Sequence, residues 1–172
     1  MNKPSLYINH EEPSWDNAIK DIDSQSQRIA DATFSYLAEN NLLNFLPQNK
    51  PVIISLTLSG DDTVHKLNKE FRGMDKATNV LSFANIDDPD FVKDSETYDE
   101  VELGDIIIAY ETMEKEAKEK NITLLAHYSH LLTHGLLHLS GFDHQTDAEA
   151  DEMEGIEIAV LSRLNISNPY TE

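Results

Sequence analysis

The sequence predicts an α+β fold, a single domain in which a small mixed four-stranded sheet packs with about five or six helices. Three observations carry this expectation. The chain has 172 residues of which 40% are hydrophobic, enough for one core of useful size and too few to require a second domain. Four short runs rich in branched residues read as strands, and the stretches between them carry apolar residues at helical spacing. Strands and surrounding helices in that mixture favour α+β, and no internal repeat or low-complexity tract points elsewhere.

The elements follow in order. Residues 6–9 read as a first strand. Residues 15–45 read as a helical region with Ala18, Ile19, Ile22, Ile29, Ala30, Phe34 and Leu37 at apolar positions, and its polar middle, 23–27, is expected to pack loosely. Residues 51–58 form a second strand, ended by the turn Ser59-Gly60-Asp61. Asp61 or Asp62 then caps a helix that aligns Val64, Leu67, Asn68 and Phe71, and Gly73 ends it. Residues 80–83 and 105–109 read as two further strands, separated by an acidic loop. The remainder is helical, at 111–120, 123–140 and 147–164, with Asn121 and Gly141 as breaks.

Composition narrows the setting. Cysteine is absent, the first fifteen residues lack the basic start and apolar stretch of a signal peptide, and no segment approaches the ~20 apolar residues of a membrane span. A soluble, cytoplasmic protein without a membrane partner is expected. The net charge of −19 argues against general affinity for nucleic acid. Its distribution is uneven, however: eight acidic residues fall in 87–102 and six in 147–157, and both runs read as solvated surface. Lys66, Lys69, Arg72 and Lys76 form a local basic group on this acidic body.

The run HGLLHLSGFDH at 134–144 carries the most chemistry. His134 and His138 are four apart, so on a helix their rings share a face and reach one ion. Gly141 stops the helix, because glycine adopts the left-handed C-terminal conformation cheaply, and the chain turns back to deliver His144 from a loop. His130 is a rival third ligand, but a stripe from His130 to His138 spans ~12 Å of helix axis, and zinc–nitrogen bonds of ~2.0–2.1 Å do not bridge it. His130 therefore reads as a support behind a ligand or as packing, and His127 as off the site.

Three neutral imidazoles leave a fourth position for water, the arrangement of a catalytic rather than a structural zinc, and such a zinc-bound water ionises near neutral pH. One zinc ion per chain is the expected cofactor. The alternative is a core helix that happens to carry histidines; three at this spacing beside a helix-breaking glycine favour the metal. The spacing also equals that of the HExxHxxGxxH metalloproteases, but Gly135 stands where their glutamate base would be, which leaves a peptidase reading without its base.

The same residues resemble a known family. HGLLHLSGFDH closely resembles the HGxLHLxGxDH signature of YbeY-type proteins, bacterial rRNA maturation factors and endoribonucleases. The segment LNKEFRGMDKATNVLSF at 67–83 is similar to the family's LNxxyRgxDxpTDVLSF, LGDIII at 103–108 to its LGDI strand, His130 to a histidine one turn before the signature, and Asn168-Pro169-Tyr170 to its NPY ending. The likeness covers roughly residues 50–170. Ala77 stands where the family usually has Pro and Asn79 where it usually has Asp, so the turn before the third strand is expected to be less rigid; the acidic insert at 87–102 looks local to this chain.

The resemblance implies a zinc-dependent, single-strand-specific endoribonuclease that matures the 3′ end of 16S rRNA and serves ribosome quality control, with Arg72 as a catalytic residue beside the metal. Arginine suits a phosphate because its planar fork donates two parallel charge-assisted hydrogen bonds. Attack at phosphorus by the metal-activated water or by a ribose 2′-hydroxyl both fit, with no side-chain base assigned. Asp143 either orients a ligand histidine or shapes the turn. Lys66, Lys69, Lys76, Ser82 and Asp105 are candidates to line an RNA groove. The expected partners are ribosomal RNA and the small ribosomal subunit, with a small-subunit protein or an assembly GTPase to present the RNA to so acidic a body. The competing class is a non-catalytic zinc-containing ribosome-assembly factor that binds through the Arg72 patch.

Overall fold

The computed structural model describes residues 4–171; residues 1–3 and 172 of the domain expected over 1–172 lie outside the described residues. The strands are β1 (Pro4–His10), β2 (Val52–Ser59), β3 (Val80–Ala84) and β4 (Val101–Ala109). The helices are α1 (Ser14–Ala18), α2 (Ile22–Glu39), α3 (Asp61–Arg72), α4 (Phe91–Thr97), α5 (Tyr110–Lys120), α6 (Leu124–Leu139) and α7 (Asp147–Arg163). The sheet order is β1-β2-β4-β3, with β1, β2 and β4 parallel and β3 antiparallel to β4 at one edge. The expected α+β class with a mixed four-stranded sheet is what the chain forms.

Two differences from the expected five or six helices have local causes. The region at 15–45 is not one helix: Ile19 is extended and Asp21 sits in the left-handed region at φ 54°, which a short polar side chain tolerates, so α1 and α2 separate there. The helix also stops at Glu39, where Asn41 turns left-handed, its N–H meets the Ala38 carbonyl and that of Leu42 meets the Leu37 carbonyl, a closed C-terminal motif. The acidic stretch, in turn, is not a plain loop. It contains α4, which buries Phe91 and Ser95 and whose last carbonyls, Ser95, Glu96 and Tyr98, accept hydrogen bonds from the Lys50 ammonium.

The polar middle of α2 is tightly held rather than loose. Ser26 is fully buried and donates to the Ile22 carbonyl at 2.7 Å, while the buried Tyr128 hydroxyl lies 2.6 Å from Ser26 Oγ; Gln27 bonds the backbone of Leu6 and Pro4. The expected aspartate cap of α3 is also displaced by one residue. Gly60 occupies the cap, Asp61 instead accepts from the N–H and hydroxyl of Thr112 in the first turn of α5, and Glu111 of α5 accepts from the Asp61 N–H. The two helix starts thus exchange carboxylates, each near the other's positive end.

Alternation along the strands decides which face is buried. Leu6, Ile8, Ile54, Leu56 and Ile106 point toward α2 and α6, which form the main core with α7. The opposite face carries a row across the sheet, Tyr7, Ser55, Asp105 and Phe83, of which Tyr7 and Asp105 are exposed; α3 covers the part around Leu81, Ile107 and Ala109, and its Phe71 packs edge-on against Phe83. The edge strand β3 and the C-terminal end of α6 lie side by side, and this corner holds the site.

Candidate metal centre

α6 is the sequence's most apolar helix, and its cap is side-chain made: Thr123 Oγ1 accepts from the Ala126 N–H at 3.0 Å. Its two half-buried histidines, His134 and His138, emerge near the C-terminal end, with ring centroids 4.6 Å apart and their Nε2 atoms 3.0 Å apart. The helix then ends in a closed turn in which Gly141 N–H meets the His138 carbonyl and Phe142 N–H meets the Leu137 carbonyl. Gly141 at φ 97° makes that turn without strain on a Cβ. Three residues on, exposed His144 returns to place its ring 5.5 Å from that of His134 and 5.1 Å from that of His138. One ligand nitrogen from each of the three rings falls within 4.8 Å of the others, a group able to hold one metal ion.

Burial pushes the His138 imidazole down to about 4, with repulsion from His134 and His144 adding to it, so the ring is neutral at physiological pH and its lone pair is available. Asp143 makes its hydrogen bond to backbone rather than to a histidine ring; its Oδ1 accepts the His144 N–H at 2.8 Å, which shapes the turn that presents His144. His130 does stand behind the cluster, though indirectly. Its Nε2 lies 2.5 Å from Glu157 Oε1, and the other oxygen, Oε2, lies 3.3 Å from His134 Nδ1. His127 is away from the site, its Nε2 2.8 Å from Glu116 Oε1.

Glu157 is the residue that sequence reading missed, because it sits in the acidic run 147–157 taken as solvated surface. It is 1% exposed. Burial raises its carboxyl, but hydrogen bonds from His130 and His134 override this and hold it down at about 2. A signal was present: Met153, Ile156, Val160 and Leu161, all buried, flank it at helical spacing, which places position 157 on the inward face of α7.

A cleft of about 580 Å³ opens over the three histidines. Arg72 and Ser82 line it, with Asn79 and the two carboxylates Asp87 and Asp143. Lys66, Lys69 and Lys76 are exposed and do not line this cleft. Asp105 is removed from the groove altogether, because it pairs with Phe83 and shares that residue's face of the sheet, away from α6. Gly135 packs against β4 and β3, where an added Cβ would stand 3.1 Å from Ile106 Cγ2 and 3.3 Å from Ser82 Oγ.

The turn before β3 is anchored rather than slack. Asn79 Nδ2 donates to Glu116 Oε1 at 3.1 Å and its Oδ1 accepts the Val80 N–H at 2.7 Å. An aspartate here would face the Glu116 carboxylate, so the asparagine suits its surroundings.

Fold and site together define a class: a small α+β domain whose helix end and following loop gather three imidazoles, able to hold one metal ion, on a cleft that also contains an arginine. The family model described as Endoribonuclease YbeY matches residues 15–165 of the chain. Endoribonuclease YbeY of Sinorhizobium fredii is 40% identical over 170 residues, covering 99% of this chain and 94% of the relative. That of Paramagnetospirillum magneticum is 41% identical over 162 residues, 93% and 92% of the two chains, and that of Erythrobacter litoralis 52% over 118 residues, 67% and 73%. The chain belongs to the Endoribonuclease YbeY family.

Proposed function

We propose that this chain is a zinc-dependent, single-strand-specific endoribonuclease that matures the 3′ end of 16S rRNA within the small ribosomal subunit and takes part in ribosome quality control. The observation that carries the reading is the convergence of His134, His138 and His144 on a cleft that also holds Arg72. The printed names of the relatives supply the reaction class. The donor set fits zinc: three nitrogens ~2.0–2.1 Å from one tetrahedral ion lie ~3.3 Å apart, which the 3.0 Å Nε2 pair nearly matches and which the exposed His144 loop reaches by a small closure.

When bound, zinc supplies a Lewis acid and a water that ionises near neutral pH. The chain's own groups do the rest. His134, His138 and His144 would hold the ion. Arg72, at the end of α3, donates to the phosphate oxygens as charge grows on them, and its planar fork orients the phosphodiester. Ser82, which also lines the cleft, offers a hydrogen bond to ribose or phosphate. Asp87 and Asp143 are the carboxylates that line the cleft, and Asp143 is already engaged by the His144 backbone.

The net charge of −19 supports a division of labour in which the small subunit, one of its proteins or an assembly GTPase brings the RNA to the cleft in the cytoplasm. No helix among the described residues is long and apolar enough to cross a membrane. The same charge favours the second reading, a non-catalytic assembly factor in which zinc only pins the His144 loop. Cleavage of a 16S rRNA precursor inside immature small subunits, with wild type, His134→Ala and Arg72→Glu purified side by side, tests the choice. Loss of cutting in both variants supports the nuclease. Equal cutting by all three, or none by any, moves the assignment to the assembly factor.

A further inference from the structure

We propose that Glu157 is a positioning residue of this centre: its buried carboxylate, clamped by His130 and Tyr170, accepts a hydrogen bond from His134 Nδ1–H and so presents the Nε2 lone pair of that ring to the ion. The inference rests on the metal reading given above.

The hydrogen bonds fix the protons. A carboxylate that only accepts requires each neighbour to donate, so the 3.3 Å approach of His134 Nδ1 to Glu157 Oε2 places the hydrogen on Nδ1. The unprotonated nitrogen is then Nε2, the atom 3.0 Å from His138 Nε2 and turned into the cluster. Oε1 receives two more donors, His130 Nε2 at 2.5 Å and the Tyr170 hydroxyl at 2.8 Å. Three donors on one carboxylate that is 1% exposed make its burial tolerable.

Packing alone does not hold the His134 ring. A cavity of about 250 Å³, lined by His134, His144, Met153, Glu157 and Tyr170, adjoins the ring, so side-chain packing does not enclose it on that side. The hydrogen bond to Glu157 supplies the missing constraint, and it comes from another helix. Tyr170 comes from the tail, which reverses at Asn165 (φ 61°) and again where Asn168 Oδ1 accepts the Tyr170 N–H at 2.8 Å. The chain's last turn therefore braces a metal ligand. A negative charge behind one imidazole also strengthens that ring as a donor to the cation, and losing such support lowers metal affinity by about 10–100-fold.

The test uses the full chain. Long-range ¹⁵N NMR of the metal-free protein reads the His134 tautomer directly, and competition with a chromogenic chelator reads zinc affinity for wild type, Glu157→Gln and Tyr170→Phe. The expected result is an Nδ1–H form of His134 in the wild type, zinc binding about 10–100-fold weaker in Glu157→Gln, and a smaller loss in Tyr170→Phe. A carboxylate that merely ties α7 to α6 predicts lowered melting temperatures with unchanged zinc affinity. An Nε2–H tautomer in the wild type, or wild-type affinity in Glu157→Gln, overturns the proposal. Should Glu157→Gln not fold, Tyr170→Phe decides, and wild-type affinity there overturns it. Wild-type protein that takes up no zinc overturns the metal reading and this inference with it, a result set apart from the others because no variant is needed to see it.

Discussion

Gly135 and Ile106 are in such close contact that a Cβ added to the glycine would lie 3.1 Å from Ile106 Cγ2, with Ser82 Oγ 3.3 Å away on the adjoining strand. α6 is therefore seated directly on β4 and β3 in the turn that separates His134 from His138. The position where a metalloprotease of the same spacing keeps its glutamate is filled here by the sheet. Gly135→Glu should lower stability by about 2 kcal/mol or more, since it overpacks the interface and puts a carboxylate against Ile106. Urea denaturation measures this, and no peptidase activity should appear.

Asn79 and Glu116 give a second prediction. Asn79→Asp replaces a donor to Glu116 with a like charge at about the same 3.1 Å, and should cost about 1–3 kcal/mol near neutral pH. Adding Glu116→Gln should restore most of the loss, because the amide donates to the new aspartate. A double-mutant cycle in chemical denaturation reads the coupling directly, and independent, additive effects would contradict the contact.

Acid should unfold the metal-free protein in two overlapping stages. His138 is held near 4 in the folded state against 6.5 when free, so the unfolded state binds a proton first as pH falls: the stability it protects is whole above about 6.5 and is lost toward pH 4. Glu157 is held near 2 against 4.5, so its contribution is whole above about 4.5 and is lost toward pH 2. Melting temperatures should hold level from pH 8 to about 6.5 and fall from there to pH 3, and the decline below pH 4.5 should be shallower in Glu157→Gln.

Metal content follows from the ligand geometry. His138→Ala should carry well below one zinc per chain by mass spectrometry, and His144→Ala should lose zinc more readily than wild type, because His144 is exposed and enters from a loop. A chelator should lower the wild-type melting temperature, since an ion that binds only the folded state stabilises it by mass action. A full zinc equivalent in His138→Ala would remove this histidine from the ligand set.

Much of the corner that holds the site was legible in the sequence because it is local. His134, His138, Gly141 and His144 lie within eleven residues, and helix geometry plus one left-handed glycine fix their relative placement before any other part of the chain is known. The strands, the ends of α3 and α5 at Gly73 and Asn121, and the α+β class followed from equally local patterns. The break at Asp21 and the stop at Asn41 were local too, but depended on non-glycine residues turning left-handed, a choice that sequence pattern signals only weakly.

Tertiary structure alone decided which polar residues matter. Glu157 lies 23 positions from His134 and Tyr170 lies 40 from His130; only the packing of α7 on α6 and the return of the tail bring them together. Asn79 meets Glu116 across 37 positions, and Asp105 leaves the groove because strand register turns it to the far face. Spacing along a helix is set by covalent geometry and can be read from the chain. A carboxylate's neighbours are set by how helices and strands pack, and an acidic residue is surface on one side of α7 and the buried hydrogen-bond partner of His130 and His134 on the other.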